Sequence, residues 1–335
     1  MSESEKTNMS KEKANVKASV KAISFDIIGG KDVMPIGGFF GPYPHEFDLP
    51  EYITDECFEM IAETGTNLIA YSMMDYSENV EESRKHLDLA AKYNMGVFVQ
   101  DRRITEAYGE GGVNKEEVQK NLAEYSDHPA FCGFYLVDEP YTEYYLPREE
   151  DYRISRFANI GKYLHDELNV LTYGNLFCIY DVEKYREPFE RYVAEWMESI
   201  HPKVLIWDYY PYDHGYAYNE GYFWDMCYMR KTAQQYGIPF WGFIQAGGRW
   251  REGDPYVGTD DYHPNEGEFN WNVNTTLAFG VKGILYFPLI EPQSYAYMFE
   301  EKGDFLGSGL IGAVNNKTQW FYFAKNINKH IAVID

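Results

Sequence analysis

The sequence is short of the features that most quickly assign a protein. No stretch approaches the roughly 18 consecutive apolar residues of a membrane span, so insertion into a bilayer is not expected. Basic residues are scarce: 30 against 53 acidic ones leave a formal net charge of −23 over 335 residues. Polyanions are repelled by such a chain, which argues against nucleic acid or an anionic membrane surface as a partner. The four cysteines, Cys57, Cys132, Cys178 and Cys227, form no C-x-x-C, and each falls inside an expected helix or strand. They read as free buried thiols. The eight histidines are scattered, without H-x-H or H-E-x-x-H, so a catalytic transition metal has no visible ligand set. Gly37-Gly38-Phe39-Phe40-Gly41-Pro42 is not the G-x-G-x-x-G turn of a dinucleotide site, and no other pattern calls for a cofactor. Residues 1–22 are polar and lysine-rich with no apolar leader, and they read as a disordered tail.

Aromatic residues are what the chain has in excess: 18% of the total, with 31 tyrosines. Tyrosine suits surfaces that are apolar on one side and hydrogen-bonding on the other. Sugars offer that combination, with C–H faces that stack on rings and hydroxyls that need polar partners. About half of these rings are assigned to ordinary core packing.

Along the chain, strand-length apolar runs alternate with helix-period segments. The expected strands are 34–40, 67–73, 96–101, 131–139, 171–177, 204–210, 239–245 and 283–289. Between them lie amphipathic stripes. Val193, Trp196, Met197 and Ile200 keep helical spacing, and Asn114 with Glu117 three residues on marks a helix start. Tyr236-Gly237 marks a helix end. Strands that are apolar throughout and alternate with helices imply a parallel sheet covered on its outer face. Eight such units predict an α/β fold, a (β/α)₈ TIM barrel, formed as one domain over residues 23–335. A doubly wound open sheet is the competing architecture.

A barrel of this kind collects the C-terminal ends of its strands around one pocket. Phe131-Cys132-Gly133-Phe134-Tyr135-Leu136-Val137-Asp138-Glu139-Pro140 ends the fourth strand on two carboxylates and a proline that stops the ladder. The other strand ends contribute Phe39, Tyr71, Asp101, Asn175, Asp208, Tyr209, Tyr210, Tyr212 and Gln245, with Glu291 just past the eighth. Carboxylates, amides and rings dominate, a composition that suits polyhydroxylated substrates. Glycoside hydrolysis also wants two carboxyl groups. The insertion at 209–225, with six tyrosines plus Phe223 and Trp224, reads as a lid or sugar platform, against ordinary loop packing. Trp250, in the loop after the seventh strand, joins the substrate-binding candidates.

The segment Asp127–Pro140 resembles the fourth-strand signature of the clan A glycoside hydrolases, the retaining β-glycosidase barrels that include the β-galactosidases. The blocks Glu268–Val273 and Leu277–Ile284 are also similar to members of that superfamily. The resemblance implies that Glu139 is the general acid/base and that Asp138 stands where an Asn usually contacts the sugar 2-hydroxyl. It implies a neutral or weakly charged oligo- or polysaccharide as substrate, and hence an extracytoplasmic place of work, secreted or at the cell surface. The pattern departs from the clan at the seventh strand, which ends in Gln245 where a glutamate nucleophile belongs. Another carboxylate then has to act, with Glu268 ranked slightly above Asp208 and Glu291, or the barrel binds sugar without turnover. Each substitute has a plainer role: Asp208 as partner of a tyrosine, Glu266 and Glu268 as acids at a helix start, Glu291 as a loop acid. Asp101, followed by Arg102 and Arg103, is expected in a salt bridge that positions other groups.

Overall fold

Eight parallel strands close on themselves in sequential order, each pairing with its neighbours in the chain and the first with the last. They are β1 Ile36–Phe39, β2 Leu68–Tyr71, β3 Gly96–Val99, β4 Phe131–Asp138, β5 Thr172–Leu176, β6 Leu205–Trp207, β7 Phe240–Gln245 and β8 Ile284–Phe287. The helices are α1 Asp55–Glu63, α2 Val80–Lys92, α3 Lys115–Leu122, α4 Ile154–Lys162, α5 Val182–Ile200, α6 Glu220–Tyr236, α7 Glu266–Ala278 and α8 Gln319–Ile334, with a short turn Arg102–Thr105 after β3. The computed structural model describes residues 33–44, 50–109, 112–145, 152–179, 181–212, 220–247, 263–292 and 308–334. The fold is a (β/α)₈ barrel. The tail expected at 1–22, and Trp250, lie outside the described residues.

The strands alternate their side chains between two cores, as the period of two requires. Leu68 and Ala70 of β2, Phe98 of β3, Trp241 and Phe243 of β7 and Leu285 of β8 fill the barrel interior. Their neighbours Ile69, Val97, Val99, Ile244 and Ile284 face the helices. Close approach explains Gly174 on β5, where a Cβ would meet the Trp196 ring at 2.3 Å.

Helix starts are written locally in the sequence. Thr54, Asn79, Asn114 and Asp181 each accept a hydrogen bond from the backbone three residues on. Asn265 and Glu268 close a reciprocal capping box at α7. Gly237 follows α6 with φ 68°, the left-handed stop expected there.

Most strands are shorter than expected at their C-terminal ends. Phe40 (φ 61°) and Met73 (φ 48°) take left-handed backbone, which cannot continue a β ladder. The thiol expectation fails at one position: Cys227 is exposed on α6, whereas Cys57, Cys132 and Cys178 are buried. Residue 227 falls on the solvent side of a helix whose neighbouring turn buries Tyr222, Met226 and Met229.

Candidate active site

The C-terminal mouth of the barrel is built unevenly. A cavity of about 520 Å³ lies over the β1–β4 side. Its floor is aromatic: Tyr71 stacks on Tyr135 with centroids 4.5 Å apart, and Phe39 packs on Tyr71 at 4.6 Å. Polar groups on its wall come from β4 (Asp138), from the ends of β2 and β3 (Asp75, Gln100, Arg102, Glu106) and from the start of α4 (Tyr152, Arg156). Of the residues expected from sequence, Phe39, Tyr71 and Asp138 line this cavity. Among the described residues, Asp101, Asn175, Asp208, Tyr209, Tyr210, Tyr212, Gln245, Glu268 and Glu291 do not, and Glu139 stands next to the wall residue Asp138 without lining the cavity itself.

Local structure explains the wall. Cys132 and Tyr135 both face the barrel interior while Phe134 and Leu136 face the helices, because β4 shifts register against β3 at Cys132 and the alternation restarts there. A bulge of this kind re-aims a side chain beside a site. The segment after Pro140 then ties α4 to the mouth: the Tyr141 N–H donates to the Tyr152 carbonyl at 2.9 Å, and the Ile154 N–H to the Tyr141 carbonyl at 3.1 Å. Tyr152 and Arg156 reach the cavity through that link.

Asp138 and Glu139 are both half-buried at the end of β4. The Asn175 amide donates to Asp138 Oδ1 at 3.1 Å, and the Glu139 N–H donates to the Asn175 carbonyl at 2.8 Å. Asn175 Oδ1 is buried and has no hydrogen-bond partner among the described residues. Glu139 itself has φ 43°. Among the described residues, the other positive-φ positions are glycines, asparagines and a histidine, except for Phe40 and Met73, which stand at neighbouring strand ends. Left-handed backbone costs an ordinary residue roughly 1–2 kcal/mol. Such strain tends to persist at working sites.

On the β5–β8 side the described polar groups are closed on one another. Gln245, 2% exposed, accepts from the Tyr212 N–H at 3.0 Å and donates to the Tyr212 carbonyl at 2.9 Å and the Gly247 carbonyl at 3.2 Å. Both amide hydrogens are committed, so the expected contact with a sugar or water is corrected to a backbone clamp. A glutamate could not make the same contacts at this position, because a carboxylate has no proton for these two carbonyls. Tyr212, 1% exposed, donates its hydroxyl to the Glu268 carbonyl at 2.6 Å, and Tyr209 packs on Tyr222 at 5.2 Å. Tyr209, Tyr212 and Tyr222 are buried packing, and residues 213–219 of the expected platform lie outside the described residues. Tyr210 lies in the mouth against Phe287, with centroids 5.0 Å apart.

The three substitute carboxylates have different surroundings. Glu268 Oε2 accepts from the Asn265 N–H at 2.9 Å, the helix-start role. Glu291, 2% exposed, accepts from the Ala313 N–H at 3.3 Å, and burial raises its carboxyl above the ordinary range. Asp208, 3% exposed, follows β6 with its N–H on the Leu176 carbonyl at 3.1 Å. The charges of Asp138 and Asp208 both act on the Tyr173 hydroxyl, whose pKa is raised first by burial and then by these two acids. Asp101 is fully buried and grips Arg103 through Oδ1–Nε at 3.0 Å and Oδ2–Nη2 at 2.7 Å, the salt bridge expected of it.

Sequence reasoning missed Asp75, Arg102, Glu106, Tyr135 and Arg156. Arg102 was within reach, because it follows a strand end directly. Arg156 had no local signal, since only the Tyr141–Ile154 link brings α4 to the mouth.

No family model matches the chain, and no curated protein does. Among solved structures, the chain is similar to a protein assigned as an α-L-fucosidase from Bacteroides thetaiotaomicron, at 14% identity and a TM-score of 0.57, over 90% of this chain and 94% of that one. It is also similar to the β-glucuronidase of Ruminococcus gnavus in complex with D-glucuronic acid, at 12% identity and a TM-score of 0.52. That match covers 88% of this chain and 49% of the glucuronidase, so the chain spans about half its length. The shared feature is the barrel fold, and both neighbours are named as glycosidases.

Proposed function

We propose that the protein is a glycoside hydrolase acting on a neutral or weakly charged oligo- or polysaccharide, with Glu139 as general acid/base. The observation that carries the reading is the strained backbone of Glu139 at the end of the fourth barrel strand, beside the Asp138–Asn175 pair. Glu139 gives its proton to the glycosidic oxygen as the C1–O bond breaks. A second carboxylate then attacks C1, or takes a proton from the water that does. Asp208 now ranks above Glu268 and Glu291 for that part, because Glu268 caps a helix and Glu291 supports a buried loop. The open acceptor of Asn175 suits a sugar hydroxyl, and the Tyr71–Tyr135 floor suits a sugar face.

Glu139→Gln keeps the shape and removes the proton. Turnover of a natural glycan is expected to fall roughly 10²–10⁴-fold with melting temperature and sugar affinity retained. Substrates with an activated leaving group should suffer less. Wild-type turnover by this variant overturns the assignment. The Gln245 clamp favours a second reading, a carbohydrate-binding barrel without turnover, since the seventh strand offers no nucleophile. Appearance of new reducing ends on a glycan panel rules that reading out.

A further inference from the structure

We propose that Asp225 is a proton-operated latch: un-ionised, it holds the segment after β5 against α6, and on losing its proton it releases that segment and loosens the strand end beside Glu139. Three side chains from separate parts of the chain seize consecutive backbone groups just past Leu176. Tyr192 of α5 accepts at its hydroxyl from the Phe177 N–H at 3.2 Å. Tyr145, in the segment after β4, donates its hydroxyl to the Cys178 carbonyl at 2.6 Å. Asp225 of α6 accepts at Oδ2 from the Ile179 N–H at 3.1 Å. The same strand end serves the mouth: the Asn175 carbonyl receives the Glu139 N–H at 2.8 Å, and the Asn175 amide holds Asp138. The backbone of 177–179 is continuous with Asn175, so freeing it slackens both contacts.

Tyrosine hydroxyls keep their protons across neutral pH, whereas a carboxyl ordinarily does not. Asp225 is fully buried, and its Oδ1 has no hydrogen-bond partner among the described residues. A carboxylate there would have one N–H donor and, among the described residues, no cation, which is a costly way to bury a charge. Asp225 acts on the Tyr145 hydroxyl together with Cys178, Tyr192 and Tyr185, and on Tyr228 of its own helix together with Glu190 of α5. Arg186 of α5 is exposed and spreads its guanidinium over the Trp224 ring, 5.4 Å from the centroid. β7 carries no ionisable side chain, and α7 meets α6 at Tyr222 through the neutral Asn272 and Thr276. Burial therefore raises the Asp225 carboxyl well above its ordinary range, against a smaller pull from the Ile179 N–H. Released into water, the carboxyl ionises near its ordinary value of about 4; held in place, it does so only far higher. Each pH unit between the two favours the released form up to about tenfold, so the latch holds in acid and weakens as pH rises.

The test is hydrogen exchange on the whole protein from about pH 6 to about pH 9, corrected for intrinsic rates. Protection of the 177–179 amides in the wild type is expected to fall at least about tenfold over that range, and the Glu139 amide to follow. Asp225→Asn keeps the shape and cannot ionise, so both readouts should stay level with pH. Asp225→Ser, which cannot ionise either, should give the same level response and serves if the amide variant does not fold. Tyr145→Phe removes a clamp without removing the titrating group, so it should lower protection at every pH and keep the slope. Unchanged protection in the wild type overturns the proposal, and so does an equal alkaline loss in the Asp225 variants. Loss at 177–179 with Glu139 unmoved overturns the link to the site. Exchange needs no substrate, so these outcomes stand apart from the hydrolase reading.

Discussion

The two halves of the barrel mouth are made from the same kinds of residue and do opposite things with them. Over β1–β4, carboxylates and arginines line an open cavity above stacked tyrosines. Over β5–β8, polar groups among the described residues satisfy the protein itself: Gln245 clamps Tyr212, Glu268 caps α7 and Glu291 holds the Ala313 N–H. A strand-end position therefore brings a polar side chain to the mouth without deciding whether a ligand or the backbone receives it. Backbone geometry separates the halves. Left-handed Phe40, Met73 and Glu139 all end strands of the open half. The left-handed residues that follow helices, such as Asn94 and His201, are ordinary helix stops.

The comparison is broken most directly at Gln245. Gln245→Ala leaves two buried carbonyls and the Tyr212 N–H without their partner, at a cost of about 1–3 kcal/mol for each group left unpaired. We expect an overall loss of about 3 kcal/mol or more in denaturant unfolding. Gln245→Glu should destabilise comparably, because it sets a carboxylate against two carbonyl oxygens. It should not raise turnover, although it restores the clan's seventh-strand residue. Increased activity in Gln245→Glu would show that the closed half is a catalytic half with one residue missing.

Fold and site were legible to different degrees, for reasons that particular residues make plain. All eight strands and the Asn114 and Gly237 helix boundaries follow from period and local capping, which act within a few residues. That Tyr135 faces inward together with Cys132 was not legible, because strict alternation puts residues three apart on opposite faces unless the β4 shift against β3 is known. The Asp101 salt bridge was legible, since its arginine partner is two residues away. The partners of Gln245 and Tyr212 lie 33 and 56 residues apart from them in sequence, and no local pattern announces such pairs.

Acid separates the halves next. His86, fully buried beside β2, meets the Tyr76 hydroxyl at 2.7 Å and the Ser72 hydroxyl at 3.3 Å, and burial pushes its pKa down to about 3. The unfolded chain takes up a proton near pH 6.5 and the folded one does not. The stability tied to neutral His86 is complete above that pH and is lost as pH falls towards 3, about 2 kcal/mol of it by pH 5. Glu291 works in the other direction. Its raised carboxyl costs stability as pH rises above the ordinary glutamate value, so acid relieves the closed half. His165, also pushed down to about 3, adds acid sensitivity at Thr172, where β5 begins. Hydrogen exchange corrected for intrinsic rates should lose protection in 68–76 between pH 7 and 5 while 284–291 holds. Parallel loss in both segments would contradict the assignment.

The smallest effect tests the ranking of the second carboxylate. Asn265→Ala removes the side chain that accepts the Glu268 N–H at 3.2 Å, and with it one arm of the capping box. Loss of such a cap costs about 1 kcal/mol. The same change loosens the Glu268 carboxylate, which the intact box directs back at the Asn265 N–H. If Glu268 served the reaction, its release from the cap would alter kcat and the pH profile of turnover. If its work is the cap, the melting temperature falls slightly and both kinetic readouts stay where they were. We expect the second result. Asp208, buried at the end of β6, acts on the same tyrosine as Asp138 and takes no part in that cap. Replacing it by Asn should therefore change the pH profile that Asn265→Ala leaves intact.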